Sequence, residues 1–342
     1  MANGKAAQER WTARTSSLPQ PNLRRARLRG GFLNSSKSPR LESFDKIVAD
    51  VLAKVPDGSS PVFSLLPEIW CSPQVIAPEK VGLLVPHLRE IKLYPQMGEF
   101  KFSTSGNYLH VSEGALNLVW CASYSSWFIY KAYEKAGNVV RFDNDADTVN
   151  ALQLYEWAVT CVRERTHIPW PVGAPRPTRT PAPGSELLLA NEVFLTAVAW
   201  MLLHEHGHLA HNHPFLASPR SVDEEHEADH FATDHVLGGT TDEAVRFKRG
   251  VGIVIANAVL LLVELMNGPA PPPTYPPIEE RISRNLRGAE LGTNVRIQAF
   301  ATAMIQFHLR IVGICPVLEE HDMFGEFLDD FCLAINHWRK SG

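Results

Sequence analysis

Cysteine is scarce in this chain, and its residues show no pairing pattern. The five cysteines are an odd number, widely spaced and without a CxxC pair, and the chain opens without an apolar signal sequence: Cys71, Cys121, Cys161, Cys315 and Cys332. Scattered thiols without a leader are typical of a reducing compartment. We therefore expect free cysteines and a cytoplasmic protein.

A strong net charge and a long apolar run are also missing. The formal net charge of the 342 residues is -4, so composition gives no reason to expect a specific nucleic-acid partner. The longest apolar run, Val251 to Met266, is shorter than the roughly 20 residues that span a bilayer, and it contains Asn257 and Glu264. We predict a buried core helix here and no membrane span. The sequence does not indicate an oligomeric state.

Acidic residues are almost missing from the first 40 positions. This segment has nine Lys or Arg residues against one acid, Glu9, among Ser, Pro and Gly. Such a composition predicts a disordered basic tail. It suits a transit peptide or an electrostatic docking arm, and equally a solvated tail without a dedicated role.

Apolar spacing divides the rest of the chain into three parts. Residues 41–165 combine three predicted helices, near 43–55, 115–136 and 147–163, with an alternating stretch at 99–111 that predicts a hairpin. Residues 166–184 contain six prolines and predict a loop. Residues 185–342 are predicted to be a helical part. The expected fold class is α+β, predominantly helical, with a small sheet or hairpin.

An H-E-x-x-H pattern, His204-Glu205-His206-Gly207-His208, lies near the end of a long apolar run that begins at Ser185. On a helix the i, i+4 spacing places His204 and His208 on one face, where both imidazoles reach one metal ion. Glu205 lies beside them and can act as general base on a water that the metal activates. The alternative interpretation is a polar, His-rich helix end.

A third ligand is needed, because catalytic zinc usually takes three protein ligands. Ser221 and Glu224 form a capping-box pattern that opens a second helix, which Gly238-Gly239 ends. Its first turns carry several candidates: Glu224, Glu225, His226, Glu227, Asp229 and His230. Spacing alone leaves the choice among them open.

The segment Glu225-His226-Glu227-Ala228-Asp229 resembles the E-x-x-A-D element of gluzincin metallopeptidases, as seen in HtpX-type, CAAX-prenyl-type and phage-exclusion Lit-type proteases. The resemblance implies a zincin-like core, Zn²⁺ as cofactor and hydrolysis of a protein or peptide substrate. It implies that Glu225 is the third ligand and that Asp229 orients a ligand imidazole. It also suggests a role in phage defence, and since some such peptidases are membrane-bound, a membrane role stays open.

Further downstream, Tyr275-Pro276-Pro277 through Arg281-Ile282 resembles the H-P-P-x-x-x-R-I element of the same families, with Tyr275 in place of the usual His. The resemblance makes Arg281 the first candidate to stabilise the oxyanion, before Tyr275 and His230, and a structural salt bridge is its alternative role. The remaining histidines are expected to be solvated or to lie behind the ligands: His206, His211 and His213.

Zincin substrates usually lie along an exposed strand edge, and the strand at Tyr108 to Val111 is the expected one. Two other classes of protein stay open at this point. One is a non-catalytic, zinc-stabilised interaction protein, in which the same residues hold a structural metal. The other is a nucleic-acid-associated protein, for which the basic tail is the only support.

Overall fold

The described part of this computed structural model contains nine α-helices, three β-strands and a short 3-10 helix, Pro61–Leu65. It describes residues 60–76, 90–94, 98–105, 108–136, 146–213, 221–269, 277–288, 291–314 and 323–341. The strands are β1 (Glu90–Tyr94), β2 (Phe102–Ser105) and β3 (Tyr108–Ser112). The helices are α1 (Leu66–Ile76), α2 (Glu113–Lys135), α3 (Ala146–Arg163), α4 (Glu186–Ala210), α5 (Val222–Leu237), α6 (Glu243–Met266), α7 (Ile278–Arg287), α8 (Val295–Ile311) and α9 (Phe324–Ser341).

These elements confirm the expected α+β, predominantly helical class. Helices α2, α3 and α5 begin within two residues of their predicted starts, and residues 164–185 form no helix or strand, as the prolines predict. The predicted tail at 1–40 and the predicted helix near 43–55 lie outside the described residues. The proposed domain boundaries stay predictions.

The strands form one mixed sheet in the order β1-β3-β2. Strands β2 and β3 pair antiparallel, which confirms the hairpin, and β1 adds to β3 in parallel. Because β3 lies between the other two strands, the prediction that Tyr108 to Val111 offers a free edge is wrong. Within the described residues β2 is the edge strand that contacts α4.

Helix α4 is the central helix, because its sequence is apolar on almost every face. Ser185 caps its start by accepting a hydrogen bond from the amide of Leu188. The helix packs against α1, α2, α5 and α6, and its Phe194 and Trp200 side chains are fully buried. The last turns of α4, which carry the H-E-x-x-H pattern, are therefore held in the core.

Helix α6 confirms the expected buried core helix between Val251 and Met266. A Cβ on Gly252 would lie 2.5 Å from the side chain of Thr196, so only glycine allows α6 to approach α4 this closely. By length and composition both α4 and α6 are apolar enough to cross a membrane, but 72% of the qualifying stretch in each is buried within the protein. Their burial is that of core helices.

Candidate metal centre

Two imidazoles converge at the C-terminal end of α4. His204 and His208 are one helical turn apart, and their Nε2 atoms are 3.1 Å from each other. His208 is fully buried and His204 is almost so. The structure therefore places both predicted histidine ligands on one face of α4, pointing towards the same spot.

Helix α5 places a carboxylate next to the two imidazoles. Its start is fixed by the predicted capping box, in which Ser221 and Glu224 exchange side-chain to backbone hydrogen bonds. One residue later, Glu225 turns inward and is 2% exposed. Its Oε2 lies 3.4 Å from Nε2 of His204 and its Oε1 lies 3.5 Å from Nε2 of His208.

The nearest donor atoms of the three side chains are close enough to share one zinc ion. With metal–ligand bonds near 2.0–2.1 Å, two ligand atoms at the tetrahedral angle are about 3.3 Å apart. The Nε2 atoms of His204 and His208 are 3.1 Å apart, and each lies 3.4 or 3.5 Å from the nearer oxygen of Glu225, Oε2 for His204 and Oε1 for His208. Two imidazoles and one carboxylate are also a donor set that zinc enzymes use. The residues therefore fit the metal, and they leave one tetrahedral corner to a water or substrate.

Glycine in the middle of the motif brings the two helices together. A Cβ on Gly207 would lie 2.9 Å from the backbone Cα of Ala228. Real side chains do not approach backbone so closely, so α4 and α5 cross at a contact between Gly207 and Ala228. Because Gly207 precedes His208 and Ala228 lies between Glu225 and Asp229, this crossing sets the distance between the ligands.

We expect Gly207→Ala to separate the helices and weaken metal binding. The added methyl group should lower the free energy of unfolding by about 1–3 kcal/mol through overpacking, partly offset by the helix propensity of alanine, about 1 kcal/mol. Gly325→Ala is the matched control, because a Cβ there would meet only an arginine nitrogen at 3.5 Å. Thermal unfolding and zinc titration measure both effects. Equal stability and equal affinity in the two variants would contradict the close crossing.

A second carboxylate lies behind His204. Oδ1 of Asp229, one turn after Glu225 on α5, lies 2.8 Å from Nδ1 of His204, and Asp229 is 1% exposed. This is the contact that the E-x-x-A-D resemblance predicts. When Nε2 of a neutral His204 binds a metal, its single proton is on Nδ1, facing this carboxylate.

Arg281, from α7, binds both carboxylates. Its Nε and Nη2 atoms donate to Asp229 at 3.0 and 2.8 Å, and its Nη1 lies 2.9 Å from Oε2 of Glu225. All three guanidinium nitrogens are therefore engaged behind the ligands. This position favours the salt-bridge alternative over contact with a substrate oxyanion.

The charges of this cluster support one another. Burial alone lowers the pKa of His204, but its hydrogen bonds with Asp229 and Glu225 outweigh burial and raise the pKa to about 9. Burial raises the pKa of Glu225, whereas His204 and Arg281 bring it down to about 2. Despite complete burial, Arg281 and His204 hold the pKa of Asp229 well below its usual range. Both carboxylates are thus ionised at neutral pH, as metal coordination requires, whereas His204 must give up the proton on its Nε2 when it binds the ion.

The predicted general base is held by the sheet. Glu205 follows His204 and is 6% exposed. The hydroxyl of Thr104, on edge strand β2, donates a hydrogen bond to Oε2 of Glu205 at 2.8 Å. Thr104 lies 101 residues before Glu205, and sequence reasoning missed it.

His213 and Glu227 form a second pair of residues behind the ligands, and the sequence predicted their place only in part. Nδ1 of His213 lies 2.9 Å from Nδ1 of His208, and Nε2 of His213 lies 3.0 Å from Oε2 of Glu227. His213 is buried, which agrees with one of the two expectations for it. Glu227 had been considered only as a competing ligand.

The other candidates do not belong to the group of possible metal ligands, or they lie outside the described residues. His211 and His230 are exposed, whereas His206, expected to be solvated or behind the ligands, is buried. Tyr275 lies outside the described residues, so its role stays a prediction. Within the described part of the chain, the one group of three or more ligand-type side chains close enough to share a metal is His204, His208 and Glu225.

Comparison with known proteins adds an independent finding. The family profile of peptidase U49 matches residues 109–301, which is more than half of the chain and includes α4, α5 and α7. The chain belongs to the peptidase U49 family. The U49 match contains the three candidate ligands, Glu205 and Arg281, while Thr104 lies just before it.

A relative of this U49 peptidase supports the same assignment. The chain is 29% identical over 262 residues to the "Cell death peptidase" of Escherichia coli strain K12, covering 72% of this chain and 88% of the relative. No solved structure matches the chain. The resemblance to Lit-type proteases is thereby supported, whereas the resemblance to HtpX-type and CAAX-prenyl-type peptidases stays a prediction.

Proposed function

We propose that this protein is a zinc-dependent metalloendopeptidase. Membership of the peptidase U49 family supports a protease role, and the buried group of His204, His208 and Glu225 supports a bound metal ion. The observation that carries the proposal is the convergence of these three buried side chains, whose nearest donor atoms lie 3.1, 3.4 and 3.5 Å apart, with Glu205 next to them on α4. Two imidazoles and a carboxylate favour zinc over harder cations such as magnesium, which prefer oxygen ligands.

Glu205 is the proposed general base. When bound, zinc supplies Lewis-acid chemistry that polarises the scissile carbonyl and makes a water acidic near neutral pH. Glu205 takes the proton of the attacking water and passes it to the leaving amine. The hydrogen bond from Thr104 to Oε2 fixes the carboxylate in the orientation that this transfer needs.

Edge strand β2 is the proposed docking site for the extended substrate, in place of β3. An edge strand offers unpaired backbone groups that add a further strand by hydrogen bonding. Strand β2 contacts α4, and its Thr104 touches the general base directly. A peptide paired with β2 would therefore run past Glu205 and the ligand group.

Arg281 is proposed to position the site rather than to contact the substrate. Its guanidinium neutralises two carboxylates that would otherwise repel each other within the core. The arrangement fixes Glu225 for the metal and Asp229 for His204. The assignment of Arg281, Tyr275 or His230 as oxyanion donor stays a prediction. The contacts of Arg281 with the two carboxylates argue against Arg281 in that role.

The proposed setting is the cytoplasm, with a cellular protein as substrate. The odd number and wide spacing of the cysteines support a reducing compartment, and Cys121, Cys161 and Cys332 are free thiols in the described part of the chain. Resemblance to phage-exclusion proteases supports a role in phage defence. This biological role rests on analogy of family rather than on the geometry of the site.

Removal and return of the metal test the proposed function. The protein as purified should contain about one zinc per chain, as measured by elemental analysis, since three protein ligands hold the ion in a catalytic site. A chelator should abolish proteolysis and zinc should restore it, whereas His204→Ala should stay inactive after zinc addition. His211→Ala is the control, because His211 is an exposed histidine of the same segment outside the ligand group. Full activity in the chelated, metal-free protein would refute the proposal.

A further inference from the structure

The chain reverses directly after α4 and returns a histidine to the metal group. Asn212 adopts a left-handed conformation with φ of 58°, which asparagine tolerates better than most residues. The amide of His213 then donates to the carbonyl of His208 at 2.9 Å, which closes the helix end in the manner of a Schellman motif. The imidazole of His213 is thereby placed against the imidazole of His208.

The protons of this pair follow from the metal site. If Nε2 of His208 binds the ion, the single proton of its neutral imidazole is on Nδ1. That Nδ1–H must donate to Nδ1 of His213, which lies 2.9 Å away and therefore acts as acceptor. The proton of His213 is then on Nε2, which donates to Oε2 of Glu227 at 3.0 Å. The ion thus fixes the tautomer of His208, and the tautomer of His208 fixes that of His213.

We propose that His213 and Glu227 are positioning residues for the metal ligand His208. The inference rests on the proposed zinc site and deepens it. His213 holds His208 in the tautomer and ring orientation that presents Nε2 to the ion. Glu227 holds His213 in the tautomer whose Nδ1 accepts the hydrogen bond from His208.

Each histidine ligand is thereby backed by a carboxylate, one directly and the other through a second imidazole. His204 is backed directly by the carboxylate of Asp229, at 2.8 Å from its Nδ1. His208 is backed by the carboxylate of Glu227 through one intervening imidazole. The two supports differ in burial, because Asp229 is 1% exposed whereas the side chain of Glu227 is 56% exposed. Glu227 should therefore contribute less than His213, whose ring is buried.

Zinc affinity of matched variants of the full chain tests the proposal. His213→Leu removes the acceptor, and it should weaken zinc binding by about 10–100-fold, as the loss of a partner behind a ligand histidine usually does. His213→Asn keeps a carbonyl oxygen that can accept from Nδ1 of His208, and it should recover most of that loss. Glu227→Gln should weaken binding less than His213→Leu, and His337→Ala, at an exposed histidine on α9, should leave it unchanged. Competition with a chromophoric chelator measures each dissociation constant.

Imidazole ¹⁵N spectra of the zinc-loaded wild type provide a second readout that does not depend on any variant folding. They should place the proton of His208 on Nδ1 and that of His213 on Nε2. Wild-type affinity in His213→Leu, equal weakening in His213→Asn and His213→Leu, or the opposite tautomer of His213 would overturn the proposal. A wild-type protein that binds no zinc would instead overturn the proposed function, so the two failures are distinguishable.

Discussion

Glu205→Gln is expected to abolish proteolysis while leaving zinc bound. The substitution preserves the size of the side chain and an acceptor for the hydroxyl of Thr104, but it removes the group that takes the proton. Loss of a general base typically costs about 10²–10⁴-fold in rate. Zinc content should stay at the wild-type level, because Glu205 is not one of the three ligands.

The result separates the enzyme from its main alternative. In a non-catalytic, zinc-stabilised interaction protein, wild type and Glu205→Gln would bind zinc and would both be without activity against any protein. Proteolysis at the wild-type rate by Glu205→Gln would show that another group is the base. Loss of zinc in this variant would place Glu205 among the ligands.

The same variant is the control for finding the substrate. Cells that express wild type or Glu205→Gln can be compared for new protein N-termini by mass spectrometry. Fragments that appear with wild type alone identify the target and the cleaved bond. Survival of phage-infected cultures under the same two conditions tests the proposed defence role.

The part of the site that sequence predicts is the part that local chain geometry determines. The H-E-x-x-H spacing on a helix places His204 and His208 together, and the capping box of Ser221 and Glu224 starts α5. Neither pattern says how α4 and α5 meet. That depends on the contact between Gly207 and Ala228, which becomes evident only when the two helices are packed.

The partners that sequence missed come from long-range packing. Thr104 belongs to a hairpin that was predicted, yet nothing in the alternation of β2 indicates that this hairpin lies against the end of α4. Strand β1 was not predicted, so β3 was mistaken for an edge. The position of His213, by contrast, is indicated by the sequence next to it. Asn212 before it favours the left-handed turn that closes a helix and returns the next side chain to the last turn.

Glu225→Ala is expected to lose zinc, because it leaves the ion with two protein ligands. Three glutamates compete for this role within four positions, and the structure gives each a different partner. Glu224 accepts from the amide of Ser221 at 2.6 Å, Glu227 contacts His213, and Glu225 alone faces both His204 and His208. Only Glu225 is buried at the ligand group.

The neighbouring glutamates therefore provide matched controls with different expected effects. Glu224→Ala should keep zinc but lower the free energy of unfolding by about 1 kcal/mol, because the capping box of α5 is lost. Glu227→Ala should keep zinc at saturating metal. Asp229→Ala should weaken zinc by about 10–100-fold, because His204 loses the carboxylate that orients it.

Glu225→Gln separates loss of a ligand from loss of the fold. It keeps the volume of the side chain and leaves Arg281 a polar neighbour within the core. We expect this variant to fold, as circular dichroism would show, and to bind zinc far more weakly than wild type, because a neutral amide is a poorer ligand than a carboxylate. Elemental analysis and chelator competition measure the series. Full zinc occupancy in Glu225→Ala, or loss of zinc in Glu224→Ala, would mean that a residue other than Glu225 completes the site.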